Sequence, residues 1–281
     1  MQPELGPRQK PRLHRSRDRV YQRRCSDTRS AQHSNREPPM SPAALPIATG
    51  IHALVQAGGK GTRLLPATLT TPKPMLPVGG MPMVERMVRR LADAGVERIT
   101  VIVGSQGDRI VEHLRSLTDL PNSVAVDFFL EDAPLGNVGA MGLVRIERTL
   151  ALCCFGDLVT ALDFRQLKLM HAQMGADMLL TSHFEETRLQ LGELVTDGDR
   201  VVEYHEKPLK RFLICSGIAL MRGEVLSVIS QGRTTTGLAD LVNLAIAAGF
   251  TVAHWTHGAY WIDVNSPELL AEANRQIAEI E

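Results

Sequence analysis

Long apolar runs are missing from this 281-residue sequence, although 44% of its residues are hydrophobic. No stretch approaches the ~20 consecutive apolar residues that a membrane-spanning helix requires. The first forty residues also lack the apolar segment that marks a secretory signal. The composition therefore favours an ordinary globular protein with no membrane partner, and the cytoplasm is its expected location.

Cysteine is scarce as well, since the sequence contains only Cys25, Cys153, Cys154 and Cys215. Four cysteines at such irregular spacing argue against a disulfide framework and against a zinc cluster. Cys153 and Cys154 are adjacent, so on a β-strand their side chains would point to opposite faces. We expect them to be small buried thiols.

The sequence has no net charge, because 31 basic residues balance 31 acidic ones. Residues 1–40 nevertheless carry nine Arg and one Lys against two Asp and two Glu, a net charge of +6. This segment is poor in large apolar residues and shows no periodicity, so burial cannot offset its ordering entropy. We expect residues 1–49 to form a basic, disordered tail, or an over-extended start with Met40 as the true initiator. Without aromatic–basic alternation or an amphipathic pattern, neither nucleic-acid binding nor organelle targeting is indicated.

From residue 50 onward, apolar runs of strand length alternate with helical periodicity. Strands are predicted at 52–57, 98–104, 123–131, 149–157, 176–184 and 215–221, and helices at 83–95, 107–117, 136–146, 164–175, 237–249 and 266–280. A hairpin is predicted within 191–208, around Asp197-Gly198-Asp199. This alternation indicates βαβ units and a mostly parallel sheet covered on both faces. Ligands bind beyond the carboxyl ends of such strands, so the loops after residues 57, 131 and 157 should surround one cleft.

A glycine-rich loop follows the first predicted strand, with Gly58, Gly59 and Gly61 close to Arg63. Ten residues after Arg63, a pair of prolines flanks Lys73. The loop has neither the G-x-G-x-x-G pattern of an NAD(P)-binding oxidoreductase nor the G-K-[ST] ending of a P-loop. Glycines alone would be compatible with a tight turn. An arginine fork and a lysine point charge on the same segment favour a phosphate site.

The stretch AGGKGTRLLPATLTTPKPMLPVGGMP resembles the signature of the sugar-1-phosphate nucleotidyltransferases, or nucleotide-sugar pyrophosphorylases. That pattern is A-G-G-x-G-T-R-L, then P, T, P-K-P and P-V. Five later segments resemble further motifs of the family in the same order: EDAPLGNVGA (131–140), FGDLVTALDF (155–164), YHEKP (204–208), CSGIAL (215–220) and YWIDVNSPELLAEAN (260–274). Six ordered motifs over roughly residues 50–280 make coincidence implausible. The closest pattern is that of mannose-1-phosphate guanylyltransferase-like members.

The resemblance implies a three-layer α/β/α Rossmann-like nucleotidyltransferase fold, with a mostly parallel mixed central sheet and a small β-rich sugar-binding subregion. Residues 50–281 would form one domain, with nucleotide binding mainly in 50–165 and sugar-phosphate binding mainly in 166–281. The implied reaction joins an NTP to a sugar 1-phosphate and yields an NDP-sugar and pyrophosphate. GTP is favoured, whereas thymidylyl, uridylyl, cytidylyl or adenylyl transfer and a catalytically silent regulatory homologue remain open. A homodimer is compatible with the family.

The resemblance also implies site residues. It assigns Arg63 to the leaving pyrophosphate and Lys73 to the α-phosphate and the attacking oxygen. The implied nucleotide-binding residues are Gly58, Gly59, Gly61, Thr62 and Gly136. Asp157 and Asp263 are the implied Mg²⁺ ligands, although either alone would be compatible with a cap or turn residue.

On the acceptor side, the implied sugar-phosphate residues are Gly192, Glu206, Lys207 and Cys215. This sequence departs from the family pattern at Phe155 and Cys215, where family members usually have asparagine. Both changes remove polar contacts, so we expect an acceptor with fewer or differently placed hydroxyls than a common hexose. A cyclitol or pseudo-sugar 1-phosphate from a secondary pathway fits that expectation. Gln56, just before the glycine loop, has no assigned role.

Overall fold

Strands and helices alternate along the chain in a computed structural model, which describes residues 48–59, 61–104, 106–229 and 236–280. The strands are Ile51–Gln56 (β1), Pro77–Val78 (β2), Met81–Pro82 (β3), Arg98–Val103 (β4), Ala125–Leu130 (β5), Leu150–Phe155 (β6), Leu158–Thr160 (β7), Met178–Arg188 (β8), Glu193–Asp197 (β9), Arg200–His205 (β10), Leu209–Arg222 (β11), Val252–Thr256 (β12) and Trp261–Asp263 (β13). The α-helices are Met83–Asp93 (α1), Gly107–Arg115 (α2), Phe164–Met174 (α3), Leu238–Ala247 (α4) and Pro267–Ile280 (α5).

The central sheet has seven strands in the order β12-β8-β11-β6-β1-β4-β5. β4, β1 and β6 run parallel to one another, as do β4 with β5 and β8 with β12. β11 runs antiparallel to both of its neighbours, β6 and β8. The predicted mostly parallel mixed sheet is therefore confirmed, and the carboxyl ends of six strands meet at one edge.

Both faces of this sheet are covered. Ala53 and Val55 of β1 pack in a cluster with α1, α2 and α3, whereas Leu54 packs in a second cluster with α4. Cys154 packs in the first cluster and Cys153 in the second, and both are fully buried, as expected. Strands that are buried on both faces read as continuous apolar runs, which explains why the sequence signals β1 and β6 so clearly. The result is a three-layer α/β/α arrangement.

The predicted helix at 136–146 is wrong. In its place lies a single 3₁₀ turn, Gly139–Leu143. Gly136 has a positive φ of 86°, and a Cβ at this position would overlap the backbone of Thr236. Glycine is a poor helix former, and three glycines fall within seven residues here. The backbone of this segment therefore packs closely against another segment instead of forming a helix.

The outer part of the sheet is longer than predicted. β8 and β11 extend past the sheet as an antiparallel ribbon that pairs Arg188 with Leu209. β9 and β10 form the predicted hairpin around Gly198 as a separate two-stranded sheet. The ribbon carries exposed apolar side chains, so the burial pattern that helps to locate strands is absent there.

Residue 48 already belongs to the folded part of the chain. Ala48 is fully buried and donates its backbone N–H to the carbonyl of Ala94 at 2.8 Å. The described residues all fall within one compact unit. The predicted tail lies outside the described residues except for its last two positions. No helix in the described part of the chain combines the length and the apolar character needed to cross a membrane.

Candidate active site

A cavity of about 990 Å³ opens at the carboxyl edge of β1, β4, β5 and β6. The predicted loops after residues 57 and 131 contribute to it, together with Asp157 itself. Its lining comprises Gln56, Ala57, Gly58, Gly59, Lys73, Pro74, Gly104, Gly107, Asp108, Leu130, Glu131, Asp132, Ala133, Pro134, Gly136, Asn137, Phe155 and Asp157. Five segments that are distant in the sequence thus converge on one cleft.

Lys73 lies between two carboxylates at this cleft. Its Nζ is 2.6 Å from Oδ2 of Asp157 and 3.6 Å from Oδ1 of Asp263. Asp157 lies two residues after the end of β6, while Asp263 ends β13, which pairs with β7 so that Asp263 lies opposite Leu158. The lysine side chain is 13% exposed, and the two aspartates are 27% and 39% exposed. Both carboxylates therefore reach a single cation while remaining open to a ligand.

The donor set at this point fits Mg²⁺. The described residues contain no group of three or more His, Cys, Asp or Glu that could enclose a metal ion. Mg²⁺ commonly takes one or two carboxylates and completes its octahedron with water and substrate phosphates. Asp263 is oriented by the Asn265 amide, whose Nδ2 donates to Oδ2 at 3.1 Å. Asp157 and Asp263 can therefore hold such an ion together with a bound nucleotide.

Gly61 brings the glycine loop against the lysine segment. Its φ is +61°, and a Cβ there would come within 2.9 Å of both Lys73 Cβ and Thr68 Cγ2. The Thr68 hydroxyl donates to the Gly61 carbonyl at 2.8 Å and fixes this approach. Any larger residue at position 61 would push the loop away from Lys73.

A second cavity, of about 550 Å³, adjoins the first. The two cavities share Asn137, Phe155 and Asp157. The remaining lining residues are Leu158, Leu180, Cys215, Gly217, Leu238, Ala239, Val242, Asn243, Trp261 and Asp263. The Lys73–Asp157–Asp263 group thus stands at the junction of two binding spaces.

Comparison with known proteins identifies the family. Residues 52–280 match the model of the family described as nucleotidyl transferase. The chain belongs to the nucleotidyl transferase family. A mannose-1-phosphate guanylyltransferase of Mycobacterium tuberculosis is 30% identical over 226 residues, which cover 78% of this chain and 62% of that protein. The chain spans 61–63% of the length of the curated relatives it matches.

Solved structures share the fold. HddC from Yersinia pseudotuberculosis, complexed with GMP-PN, superposes with a TM-score of 0.62 at 24% identity, covering 80% of this chain and 98% of that one. The inositol-1-phosphate CTP transferase from T. maritima gives a TM-score of 0.62 at 21% identity, covering 82% and 95%. The family and the fold predicted from the motifs are thereby confirmed.

Other family-implied residues lie away from the two cavities. Thr62 and Arg63 form a 3₁₀ turn with Leu64, which is buried and anchors the turn. The side chains of Thr62 and Arg63 are exposed and do not line either described cavity. Their assignment to the triphosphate stays a prediction.

Gly192, Glu206 and Lys207 lie at the β9–β10 hairpin, also outside the described cavity linings. Glu206 accepts a hydrogen bond from the Tyr204 hydroxyl at 2.7 Å, and this bond raises the pKa of Tyr204. Lys207 is exposed and has a positive φ of 45°, while its carbonyl accepts from Arg188 Nη1 at 3.1 Å. The structure therefore does not bring these residues to the Lys73 group, whereas Cys215 does line the second cavity.

Glu131 is a cavity residue that the sequence reasoning missed. It follows β5, and its Oε1 accepts the Leu135 backbone N–H at 2.6 Å. Its Oε2 is 3.5 Å from Nε2 of Gln56, whose own Oε1 is buried and has no hydrogen-bond partner among the described residues. Glu131 is the first residue of the EDAPLG motif, and that position was the available signal. Gln56, previously without a role, stands beside it in the cleft.

Proposed function

We propose that this chain transfers a guanylyl group from GTP to a sugar 1-phosphate or a cyclitol 1-phosphate, forming a GDP-linked product and pyrophosphate. The observation that carries the proposal is the convergence of Lys73, Asp157 and Asp263 between two adjoining cavities. One cavity is large enough for a nucleotide, and the other takes the acceptor. Membership of the nucleotidyl transferase family supports the reaction class.

The reaction brings a phosphate oxygen of one anion onto the α-phosphorus of another. Positioning and charge neutralisation therefore supply most of the catalysis. Lys73 is the catalytic residue best placed to offset the charge that develops at the α-phosphate, because its Nζ lies at the junction of the cavities. A preorganised cation of this kind contributes roughly 10²–10³ in rate.

Mg²⁺ held by Asp157 and Asp263 would neutralise phosphate charge and hold the reacting phosphates together. The backbone amides of Gly58, Gly59 and Gly61 are proposed to bind the triphosphate. Arg63 and Thr62 are proposed to attend the departing pyrophosphate, since an arginine fork suits a polyphosphate. The Mg²⁺ requirement and these assignments rest on the motif positions together with the donor set at the cleft.

Glu131 supports guanine as the base. A carboxylate only accepts hydrogen bonds, and the N1–H and N2–H₂ groups of guanine present two adjacent donors. Uracil and thymine offer one ring N–H, and cytosine and adenine offer one exocyclic amino group without an adjacent ring donor. Gln56 lines the same cavity, and its Nε2 lies 3.5 Å from Oε2 of Glu131. The Mycobacterium tuberculosis relative, named a guanylyltransferase, points the same way.

The second cavity supports an acceptor with fewer or differently placed hydroxyls than a common hexose. Phe155, Leu180, Val242 and Trp261 give its wall an apolar character. A hydroxyl buried there without a partner would cost about 1–3 kcal/mol. The proposed acceptor is therefore a cyclitol or pseudo-sugar 1-phosphate, as from secondary metabolism, whose hydroxyls are fewer or placed differently from those of a common hexose 1-phosphate. Glu206, Lys207 and Gly192 remain acceptor-binding predictions that rest on the motifs.

Pyrophosphate release should be measured with Mg²⁺ across a matrix of NTPs and of mannose, glucose and cyclitol 1-phosphates. We expect GTP to be the preferred donor and a cyclitol 1-phosphate the preferred acceptor. Glu131→Gln should lower kcat/KM for GTP about tenfold and lower that for ATP much less, because an acceptor for guanine is lost. Glu203→Gln, the same substitution at an exposed position of β10 outside both cavities, is the matched control. A strong hexose preference would refute the acceptor assignment, and no release with any pair would favour a silent homologue.

A further inference from the structure

A buried serine on the edge of the second cavity is shared by two histidines. Ser216 is on β11, between the cavity residues Cys215 and Gly217, and is fully buried. Its Oγ is 2.8 Å from Nδ1 of His183 on β8 and 2.8 Å from Nε2 of His257, which follows β12. The proposed chemistry uses none of the three side chains.

The Ser216 hydroxyl has two imidazole neighbours but only one proton to donate. Ser216 has one hydroxyl proton, so at least one of the two imidazoles must donate to its oxygen. Nε2 of His183 faces Oε1 of Glu185 at 3.2 Å, and a carboxylate accepts only, which keeps that nitrogen protonated. The chain stays complete when His183 alone is charged, because it donates to Ser216 and Ser216 donates to His257.

Two charged imidazoles break the chain. Both would then donate to the serine oxygen, and the buried hydroxyl proton would lose its acceptor. The two rings are also only 5.9 Å apart between centroids, so their charges would repel. The charged or titratable groups that face the chain are Glu185 and His183 on β8, and His254 on β12, which bonds Ser182 Oγ at 3.0 Å.

The hydrogen-bonded chain of His183, Ser216 and His257 contacts the wall of the second cavity directly. The carbonyl of Ser216 accepts Nε1–H of Trp261 at 2.7 Å, and the His183 ring lies 4.6 Å from the Trp261 ring. Trp261 lines the second cavity, and two residues later β13 ends at Asp263. Moving Ser216 would therefore move both sides of the acceptor wall.

We infer that His183, Ser216 and His257 are positioning residues that hold the acceptor wall formed by Cys215, Gly217 and Trp261. Acceptor binding depends on this hydrogen-bonded chain, whereas nucleotide binding does not, because Cys215, Gly217 and Trp261 line the second cavity and not the nucleotide cavity. This inference rests on the proposed function in one respect, namely that the second cavity takes the acceptor.

Acidification should weaken the hydrogen bonds that join His183, Ser216 and His257. Burial, and then the charge of His183, lower the pKa of His257 below its ordinary value of 6.5. A lowered pKa means that the folded protein favours neutral His257, so the arrangement is intact above about pH 6.5. It is lost as the pH falls through the lowered pKa. The kcat/KM for the acceptor should consequently decline on the acid side, while that for GTP should not share this decline.

The kinetic test compares Ser216→Ala with His257→Gln. We expect Ser216→Ala to raise the acceptor KM on the order of tenfold, with the GTP KM within about twofold of wild type. The Gln side chain places an amide near the position of Nε2 but does not titrate. His257→Gln should therefore keep the acceptor KM near that of wild type and lose the acid decline. Equal changes in both KM values, an unchanged acceptor KM in Ser216→Ala, or an intact acid decline in His257→Gln would overturn the inference.

A fluorescence test needs no turnover, so it separates failure of this inference from failure of the proposed function. The sequence has two tryptophans, and Trp255→Phe leaves Trp261 as the reporter. An imidazolium quenches a neighbouring indole, so emission should fall when the buffer is acidified. The fall should vanish when His183→Asn is added, since Asn keeps an amide near Nδ1. Emission that is flat with pH, or a fall that survives His183→Asn, would contradict the chain.

Discussion

At the scale of single residues, Lys73 is central to the proposed site because it contacts both proposed Mg²⁺ ligands. It forms ion pairs with Asp157 and Asp263 and lines the larger cavity. Replacing it removes a cation near the α-phosphate and also leaves two carboxylates facing each other without their shared partner. We therefore expect its replacement to affect kcat more strongly than it affects the free energy of unfolding.

We predict that Lys73→Met lowers kcat by roughly 10²–10³-fold, with a smaller effect on the KM for GTP. Steady-state pyrophosphate release measures both parameters. Lys210→Met is the matched control, because it removes the same charge from the exposed ribbon, where Lys210 pairs with Glu193. A Lys73→Met enzyme within about threefold of wild type would remove this residue from the mechanism.

Site residues could be predicted from the sequence wherever they belong to a short motif. Lys73, Asp157 and Asp263 were chosen from three separate motifs, and the structure brings them together. Glu131 and Gln56 were missed as a pair because 75 residues separate them in the sequence. Their proximity comes only from the parallel pairing of β1, β4 and β5. The exposed positions of Glu206 and Lys207 could not be foreseen either, because the motif does not record where the hairpin lies.

At the scale of elements, the close approach of the glycine loop to the lysine segment is the feature that shapes the site. This approach depends on one residue without a Cβ. Gly61 has a left-handed backbone, and its Cα faces Lys73 and Thr68.

Gly61→Ala should lower the free energy of unfolding by about 1–3 kcal/mol, because the left-handed conformation and the crowded Cβ both carry a cost. It should also lower kcat about tenfold, because Lys73 is displaced. Thermal unfolding and pyrophosphate release test the two effects. The control is Gly258→Ala, since a Cβ at Gly258 would meet nothing within 4 Å and no positive φ is required there. Equal behaviour of the two variants would contradict the account of the loop.

The difference between buried elements and exposed or glycine-rich ones explains which elements could be predicted from the sequence. α1 was clear because Val84, Met87, Val88 and Leu91 all face the core. The segment at 136–146 was misassigned because its apolar spacing imitates a helix, whereas its glycines serve a close backbone contact with Thr236. The ribbon of β8 and β11 was underestimated because its exposed side chains carry no alternation of burial. Local pattern thus predicts buried elements well and exposed or glycine-rich ones poorly.

At the scale of the whole molecule, the basic segment and the folded part have opposite charges and different compositions. Residues 1–40 carry a net charge of +6, and the remaining 241 residues carry −6. The first described residue, Ala48, is already in the core. The homodimer and the cytoplasmic location remain predictions.

Deleting residues 1–40 should leave kcat, both KM values and the thermal midpoint unchanged. The expected reason is that this segment cannot bury enough apolar surface to contribute to the core. Comparing the full chain with the truncated one in the same assay provides the measurement. A large loss of turnover after truncation would show that the segment takes part in the reaction or in folding.

The most direct test of the central claim is Mg²⁺-dependent pyrophosphate release by the wild type, Asp157→Asn and Asp263→Asn, with the exposed Asp199→Asn as a charge-matched control. The wild type and the control should release pyrophosphate only when GTP, the 1-phosphate acceptor and Mg²⁺ are all present. Each site variant should be slower by at least about 10²-fold and should keep its thermal midpoint. Near-normal release by either site variant, or release by the wild type without an acceptor, would contradict the account.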